Sequence, residues 1–263
     1  MRDGLLPLDA PLPGSSFTDL LRSLDLAPQW PAPTGGSLSD LVAPEATTVM
    51  ALRFNDGVVM VGDRQATEGY SIAHRRIQKV FAADEFSAVA ISGTAGLAIE
   101  MVRLFQTELE HYEKIEGVRL SLDGKATYLA RMVRQQLALA IQGLVVVPLF
   151  CGFEPLTGTG HVFTFDVVGG RYEEHDFGAA GSGSSEAKAY LRTVYESESD
   201  AATAIDHAIA ALVAAADQDV ATGGPDVRRG IYPNVVTVGP DGLRDVDEEE
   251  IAASAQRALE IMR

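Results

Sequence analysis

Cysteine is almost absent: Cys151 stands alone in 263 residues. One thiol cannot close an intrachain bridge, so no disulfide framework holds this chain, and such usage suits a reducing compartment. Between Phe150 and Gly152 it reads as an apolar core residue rather than a reactive thiol. Long apolar runs are missing too. No stretch approaches the roughly eighteen residues of a membrane-crossing helix, and Met1–Ser16, with Asp3 and repeated prolines, is not a secretory signal. Positive charge is scarce: 21 Lys and Arg stand against 37 Asp and Glu, for a formal net charge of −16. Phosphate backbones attract excess Lys and Arg, so non-specific nucleic-acid binding is excluded. The acidic surface serves solubility and names no partner. His74, His111, His161, His175 and His207 show no HExxH or comparable spacing, so no metal site is expected among them.

What remains is an ordinary soluble composition, 46% apolar and 22% charged, in a chain long enough to bury a large core. Residues 1–46 differ from the rest. They hold seven of the twelve prolines and the only tryptophan, Trp30, and read as an irregular leader with one short helical turn at Ser16–Leu21. Residues 47–263 read as one domain. Apolar runs predict strands at Val49–Phe54, Val58–Gly62, Lys79–Phe81, Phe86–Ser92, Val145–Phe153, Val162–Asp166, Arg171–Phe177, Val235–Val238 and Leu243–Val246. Helical spacing predicts helices over Leu97–Tyr112, Leu122–Leu144, Glu186–Glu198, Ala201–Ala216 and Glu248–Met262. Helices come in blocks rather than after every strand, which argues against regular βαβ units. The expected class is α+β: two antiparallel sheets packed together, with helix pairs on the outer faces.

The organising stretch is Thr47–Lys79. Asn55-Asp56-Gly57 between two apolar runs is a hairpin signal. It brings Thr47, at the start of the first strand, beside Asp63, at the end of the second. If the Ala46–Thr47 bond is cut, an α-amine, a β-hydroxyl, a carboxylate and the Lys79 ammonium share a small volume. A free amine on the same residue can serve as base for a threonine hydroxyl. The ammonium biases that amine toward neutrality, and the carboxylate holds the ammonium in place. The residues alone leave plainer readings open: a common Thr pair, a turn aspartate and a solvated lysine. Gly181-Ser182-Gly183-Ser184-Ser185 before a helix also reads as an anion nest, but it has no Walker lysine.

The segments TTVMALRFNDGVVMVGDRQAT, RRIQKVF, AISGTAG, ELEHYEKIEG, GSGSSEAK and DQDVATGGPDVRRGIYP occur in this order. Together they resemble the 20S proteasome β subunits of actinobacteria, within the N-terminal nucleophile hydrolases. The resemblance spans nearly all of 47–263. It implies a four-layer αββα sandwich and a threonine endopeptidase that frees its own nucleophile by cutting between Ala46 and Thr47. In that pattern Thr47 is the nucleophile, Asp63 its charge partner, Lys79 the active-site ammonium and Gly93 the oxyanion N–H. Ser182, Asp219 and Thr222 surround the amino terminus, with Thr222 where the family usually has serine. Ala66, Ala73, Ile77, Ile91, Ala95 and Ile99 match the main side-chain pocket, which is therefore expected to take apolar residues, with Glu68 at its rim.

The resemblance further implies no cofactor, a cytoplasmic location, and seven-membered β rings paired in a 28-subunit core between rings of α subunits. A ring-shaped ATPase activator acts through the α rings on protein substrates. One departure stands out. The family usually has glycine before the threonine, whereas Ala46 stands here. Alanine meets a steric penalty if the self-cleavage turn requires positive φ, so slower leader removal is expected. Two alternatives carry the same motifs in part: a noncatalytic or unprocessed ring subunit, and the shorter subunits of two-ring ATP-dependent proteases.

Overall fold

The computed structural model describes residues 47–68 and 71–262. The leader assigned to 1–46, with its helical turn, Ala46 and the cleavage junction, lies outside the described residues, as does the Glu68 side chain. The chain opens with β1 (Thr48–Phe54), β2 (Gly57–Gly62), β3 (Ala66–Glu68), β4 (Ser71–His74), β5 (Val80–Asp84) and β6 (Ser87–Gly93). Helices α1 (Ala95–Glu116), α2 (Leu122–Gln135) and the short α3 (Leu137–Ala140) follow, then β7 (Val146–Glu154), β8 (Thr159–Phe165), β9 (Arg171–Glu174) and β10 (Phe177–Gly181). The chain continues with α4 (Ser184–Val194), α5 (Ala201–Gln218), β11 (Asn234–Gly239), β12 (Gly242–Asp245) and α6 (Glu248–Ile261).

Two five-stranded antiparallel sheets stack face to face. One has the order β10-β1-β2-β11-β12 and the other β5-β6-β7-β8-β9. Three apolar layers result. Between the sheets lie Val49, Ala51, Val58, Met60, Leu149, Cys151 and Val162. The alternate residues Met50, Leu52, Val59 and Val61 face α4, α5 and α6 instead, where the alanines of α5 permit close approach. Phe105, Leu129 and Phe150 fill the third layer, under α1 and α2. Because β1 and β2 bury both faces, they carry unbroken apolar runs rather than an apolar-polar alternation. The molecule is thus the expected αββα sandwich.

Local expectations need four corrections. Arg171–Phe177 is not one strand: β9 ends at Glu174 and β10 begins at Phe177 in the other sheet. Arg53 holds the crossing, its backbone N–H donating to the Asp176 carbonyl and its guanidinium to the His175 carbonyl, both at 3.0 Å. Leu122–Leu144 is not one helix either. The Gln136 N–H turns back to the Val133 and Arg134 carbonyls, and the apolar spacing beyond it meets no core, with Ile141 63% exposed. Glu186–Glu198 shortens to α4, where Tyr195 leaves the helical region with ψ 132. The stretch between Asp63 and Lys79, where the sequence predicts only a polar loop, contains a small hairpin, β3–β4.

Candidate active site

Asp63 lies one residue past β2, directly beside the start of β1. It is completely buried, yet each oxygen is satisfied twice. Oδ1 accepts from the Thr48 N–H at 2.9 Å and from the Lys79 ammonium at 2.6 Å. Oδ2 accepts from the Gln65 and Gly223 N–H groups, both at 3.0 Å. The Asp63 N–H donates in return to the Thr48 carbonyl at 3.0 Å. Lys79, 3% exposed, also donates from Nζ to the Gln65 carbonyl, and its backbone N–H donates to Asn234 Oδ1 at 3.2 Å. A buried ion pair is stable only when its remaining hydrogen-bonding capacity is met. Thr48, Gln65 and Gly223 meet it here.

Thr47 precedes β1 and is buried, and its carbonyl accepts from the Ser182 N–H at 2.9 Å. That contact depends on Gly181, at φ 100, where an added Cβ would stand 1.7 Å from the Thr47 oxygen. Gly93 at the end of β6 repeats the device with φ 100, and the following Thr94 N–H donates to the Val145 carbonyl at 2.8 Å. Only glycine adopts this backbone without strain.

A second carboxylate gathers hydroxyls. Ser182 Oγ and Thr222 Oγ1 both donate to Asp219 Oδ2, the latter at 2.6 Å, and the Ala221 N–H donates to Oδ1 at 3.1 Å. Burial pushes the Asp219 carboxyl up. The hydrogen bonds from Ser182, Thr222 and Ala221, with the positive charge of Lys79, outweigh it and hold the group below the ordinary carboxylate range. Thr222 Oγ1 also lies 2.6 Å from Thr48 Oγ1, which accepts from the Gly183 N–H at 3.0 Å. Gly183 leaves room for this meeting: a Cβ there would come within 2.7 Å of both hydroxyl oxygens.

The structure therefore gathers Asp63 and Lys79 against the amide of Thr48, and Ser182, Asp219 and Thr222 against its hydroxyl. Sequence reasoning assigned no role to Thr48, Gln65 or Gly223. Thr48 had a visible signal, a second hydroxyl in a strand otherwise apolar. The other two act on Asp63 through backbone N–H groups, which no side-chain motif betrays. The six matched pocket residues divide. Ala73 and Ile77 share an open groove of about 440 Å³ with His74, Arg75, Arg76, Arg229 and Ile231. Ala66 is buried at the start of β3. Ile91 packs with Ile99 in the layer under α1, the helix that Ala95 begins. Cys151 stands apart in the inter-sheet core, where burial pushes its thiol up to about 12.

Two antiparallel sheets, covered by helix pairs, are the architecture of the N-terminal nucleophile hydrolases. Comparison with known proteins narrows the class. The proteasome subunit family model matches residues 44–227. Proteasome subunit beta of Acidimicrobium ferrooxidans is 52% identical over 259 residues, which cover 97% of this chain and 94% of that protein. The namesake from Jonesia denitrificans is 51% identical over 241 residues, covering 91% and 80%. That from Stackebrandtia nassauensis is 52% identical over 252 residues, covering 93% and 90%. This chain belongs to the actinobacterial proteasome β subunit family. Membership supports a threonine-peptidase role in general.

Proposed function

We propose that the chain is the catalytic threonine endopeptidase subunit of a proteasome core, with Thr47 as nucleophile once the bond from Ala46 is cut. The observation that carries this reading is the buried Asp63 carboxylate, which takes the Lys79 ammonium at 2.6 Å and the amide next to Thr47 at 2.9 Å on one oxygen. A lysine 3% exposed keeps its charge beside such a partner. An ammonium so placed favours the neutral form of a nearby α-amine and stabilises a developing alkoxide.

In the proposed reaction the Thr47 hydroxyl attacks the peptide carbonyl and its proton passes to the freed α-amine. The Gly93 N–H stabilises the tetrahedral oxyanion, a donor type that contributes about 3–4 kcal/mol. The amine then protonates the departing nitrogen as the C–N bond breaks. Water hydrolyses the resulting Thr47 ester, with the amine accepting its proton and the hydroxyl re-forming. Ser182, Asp219 and Thr222 hold the amine's surroundings polar and fixed. Ala66, Ala73, Ile77, Ile91, Ala95 and Ile99 are proposed to shape the pocket for an apolar residue before the cut bond. By family likeness the subunit works in the cytoplasm in homo-heptameric rings. Paired rings lie between α-subunit rings in a 28-subunit core that an ATPase ring feeds with protein substrates.

The test is intact mass and labelling of the assembled particle. The expected β chain begins at Thr47 and is modified there by a peptide electrophile directed at N-terminal threonine. Thr47→Ala is expected to retain the leader and hydrolyse no fluorogenic peptide. A wild-type particle that keeps all 46 leader residues, or a Thr47→Ala particle that stays active, overturns the proposal.

A further inference from the structure

Thr48, the second hydroxyl residue of the chain's first strand, is entirely buried and makes a hydrogen bond from every polar atom it has. Its N–H reaches Asp63 Oδ1 and its carbonyl takes the Asp63 N–H. Its Oγ1 takes the Gly183 N–H at 3.0 Å and meets Thr222 Oγ1 at 2.6 Å. The proton order along this chain follows from the donor inventory. An ionised Asp219 only accepts, so Thr222 must donate to it. The single Thr222 proton is then spent, and Thr48 is the donor in the pair of hydroxyls. Thr48 thus joins the two clusters, its backbone bound to Asp63 and its hydroxyl donating to Thr222 in the Asp219–Ser182–Thr222 cluster.

We infer that Thr48 is the positioning residue of the site, acting through its hydroxyl to fix the nucleophile's peptide plane between the two carboxylate clusters. The inference rests on the reading of Thr47 as nucleophile. A freed chain terminus frays unless its backbone is tied down. The peptide linking Thr47 to Thr48 is pinned at both polar ends, its carbonyl by the Ser182 N–H and its N–H by Asp63. The Thr48 hydroxyl sets where that plane sits relative to Gly183 and Thr222. Without it, the backbone bonds of β1 remain, but the buried Gly183 N–H loses its acceptor and Thr222 its donor.

The test uses the full chain, assembled and matured, with rates counted per Thr47 labelled by the peptide electrophile. Thr48→Val, which keeps the volume and deletes the hydroxyl, is expected to lower kcat about tenfold. KM should stay within about twofold, because no substrate contact is removed. Thr48→Ser is expected to keep at least about half of the wild-type kcat, since it keeps both hydrogen bonds. The double variant Thr48→Val with Thr222→Val should lose less than the product of the two single losses, because the two hydroxyls share one hydrogen bond. Should Thr48→Val fail to assemble, Thr48→Cys carries the test. It has the shape of serine with a weak S–H donor, and its kcat should fall clearly below that of Thr48→Ser. A kcat per labelled site equal to wild type in Thr48→Val, or equal in the Ser and Cys variants, overturns the inference, as does full additivity with Thr222→Val. Wild-type particles that take no label at Thr47 overturn the underlying functional reading instead.

Discussion

At one corner of the sandwich Gly181 ends β10 with φ 100, and the next residue's N–H closes on the carbonyl of Thr47, just ahead of β1. At another corner Gly93 ends β6 with the same φ, and the next residue's N–H closes on the carbonyl of Val145, just ahead of β7. Each glycine pairs with the first residue of its partner strand, Thr48 or Val146, and each chain then enters a helix. A hairpin follows each partner strand and ends at an aspartate. Asp63 is sealed in the interior and bound by three distant donors, from Thr48, Lys79 and Gly223, and one local one, from Gln65. Asp166 stays part-exposed and serves its own turn, accepting from the N–H groups of Val168 and Gly170 and the hydroxyl of Tyr172. One backbone device therefore supports both corners, and only the side chains hung on it separate a candidate catalytic corner from a structural one.

Breaking the polar set should separate the corners most. Lys79→Ala leaves Asp63 buried without its cation, and we expect peptide hydrolysis to fall by about a thousandfold or more. Stability should fall by about 3–5 kcal/mol, read by urea unfolding, because an uncompensated buried charge remains. Asp166→Asn at the other corner should leave hydrolysis within about twofold, since its bonds are local.

Alanine in place of either glycine tests the likeness rather than the difference. A Cβ would stand 1.7 Å from the Thr47 oxygen at Gly181 and 2.1 Å from the Val145 oxygen at Gly93. Both variants should lose stability by at least about 1–2 kcal/mol from the left-handed backbone alone, and the losses should be similar. A loss at one corner only would show that the two backbones carry unequal loads.

Asp219 gives a pH signature specific to the first corner. Its folded pKa lies below its unfolded value of about 3.9, so its contribution to stability is present above that value. The contribution is lost as pH falls from there through the folded value. Urea midpoints measured between about pH 6 and pH 2.5 should therefore fall more steeply in wild type than in Asp219→Asn. Parallel curves would remove Asp219 from the set of depressed carboxylates. The smallest effect belongs to the seam between the sheets. With its thiol pushed up to about 12 and wholly buried, Cys151 should not react with a disulfide reagent at pH 8 until the chain unfolds.

The same comparison explains what the sequence could tell. Strand ends, glycine turns and helix blocks were legible because periodicity and turn residues are local properties. The strand β1, with its hairpin partner, announced itself through an Asn-Asp-Gly turn. Asp63 and Asp166 look alike in sequence, each closing an apolar strand. Both accept from a local N–H, but Asp63 also takes three donors 15 to 160 residues away, whereas every donor to Asp166 lies within six. Resemblance to a family separated the two aspartates; composition and spacing could not. The break between β9 and β10 is not legible because Tyr172 and Phe177 both favour strands, and only the sheet each one joins differs. Thr48 escaped because a threonine in a strand needs no explanation until its hydroxyl is seen to have two partners.

The crossing at His175–Asp176 has a consequence in time. The sheet that bears Thr47 begins with the first strands made, but it is completed only when the chain returns to it after building the other sheet. At ribosomal rates of about 5–20 residues per second, β1 waits roughly 6 to 27 seconds for β10 to emerge. Until then neither the Gly181–Ser182 closure on Thr47 nor the clamp around Thr48 exists. The order of synthesis alone thus delays completion of the proposed peptide-cutting centre while the nascent chain that carries it is still unfolded and cleavable.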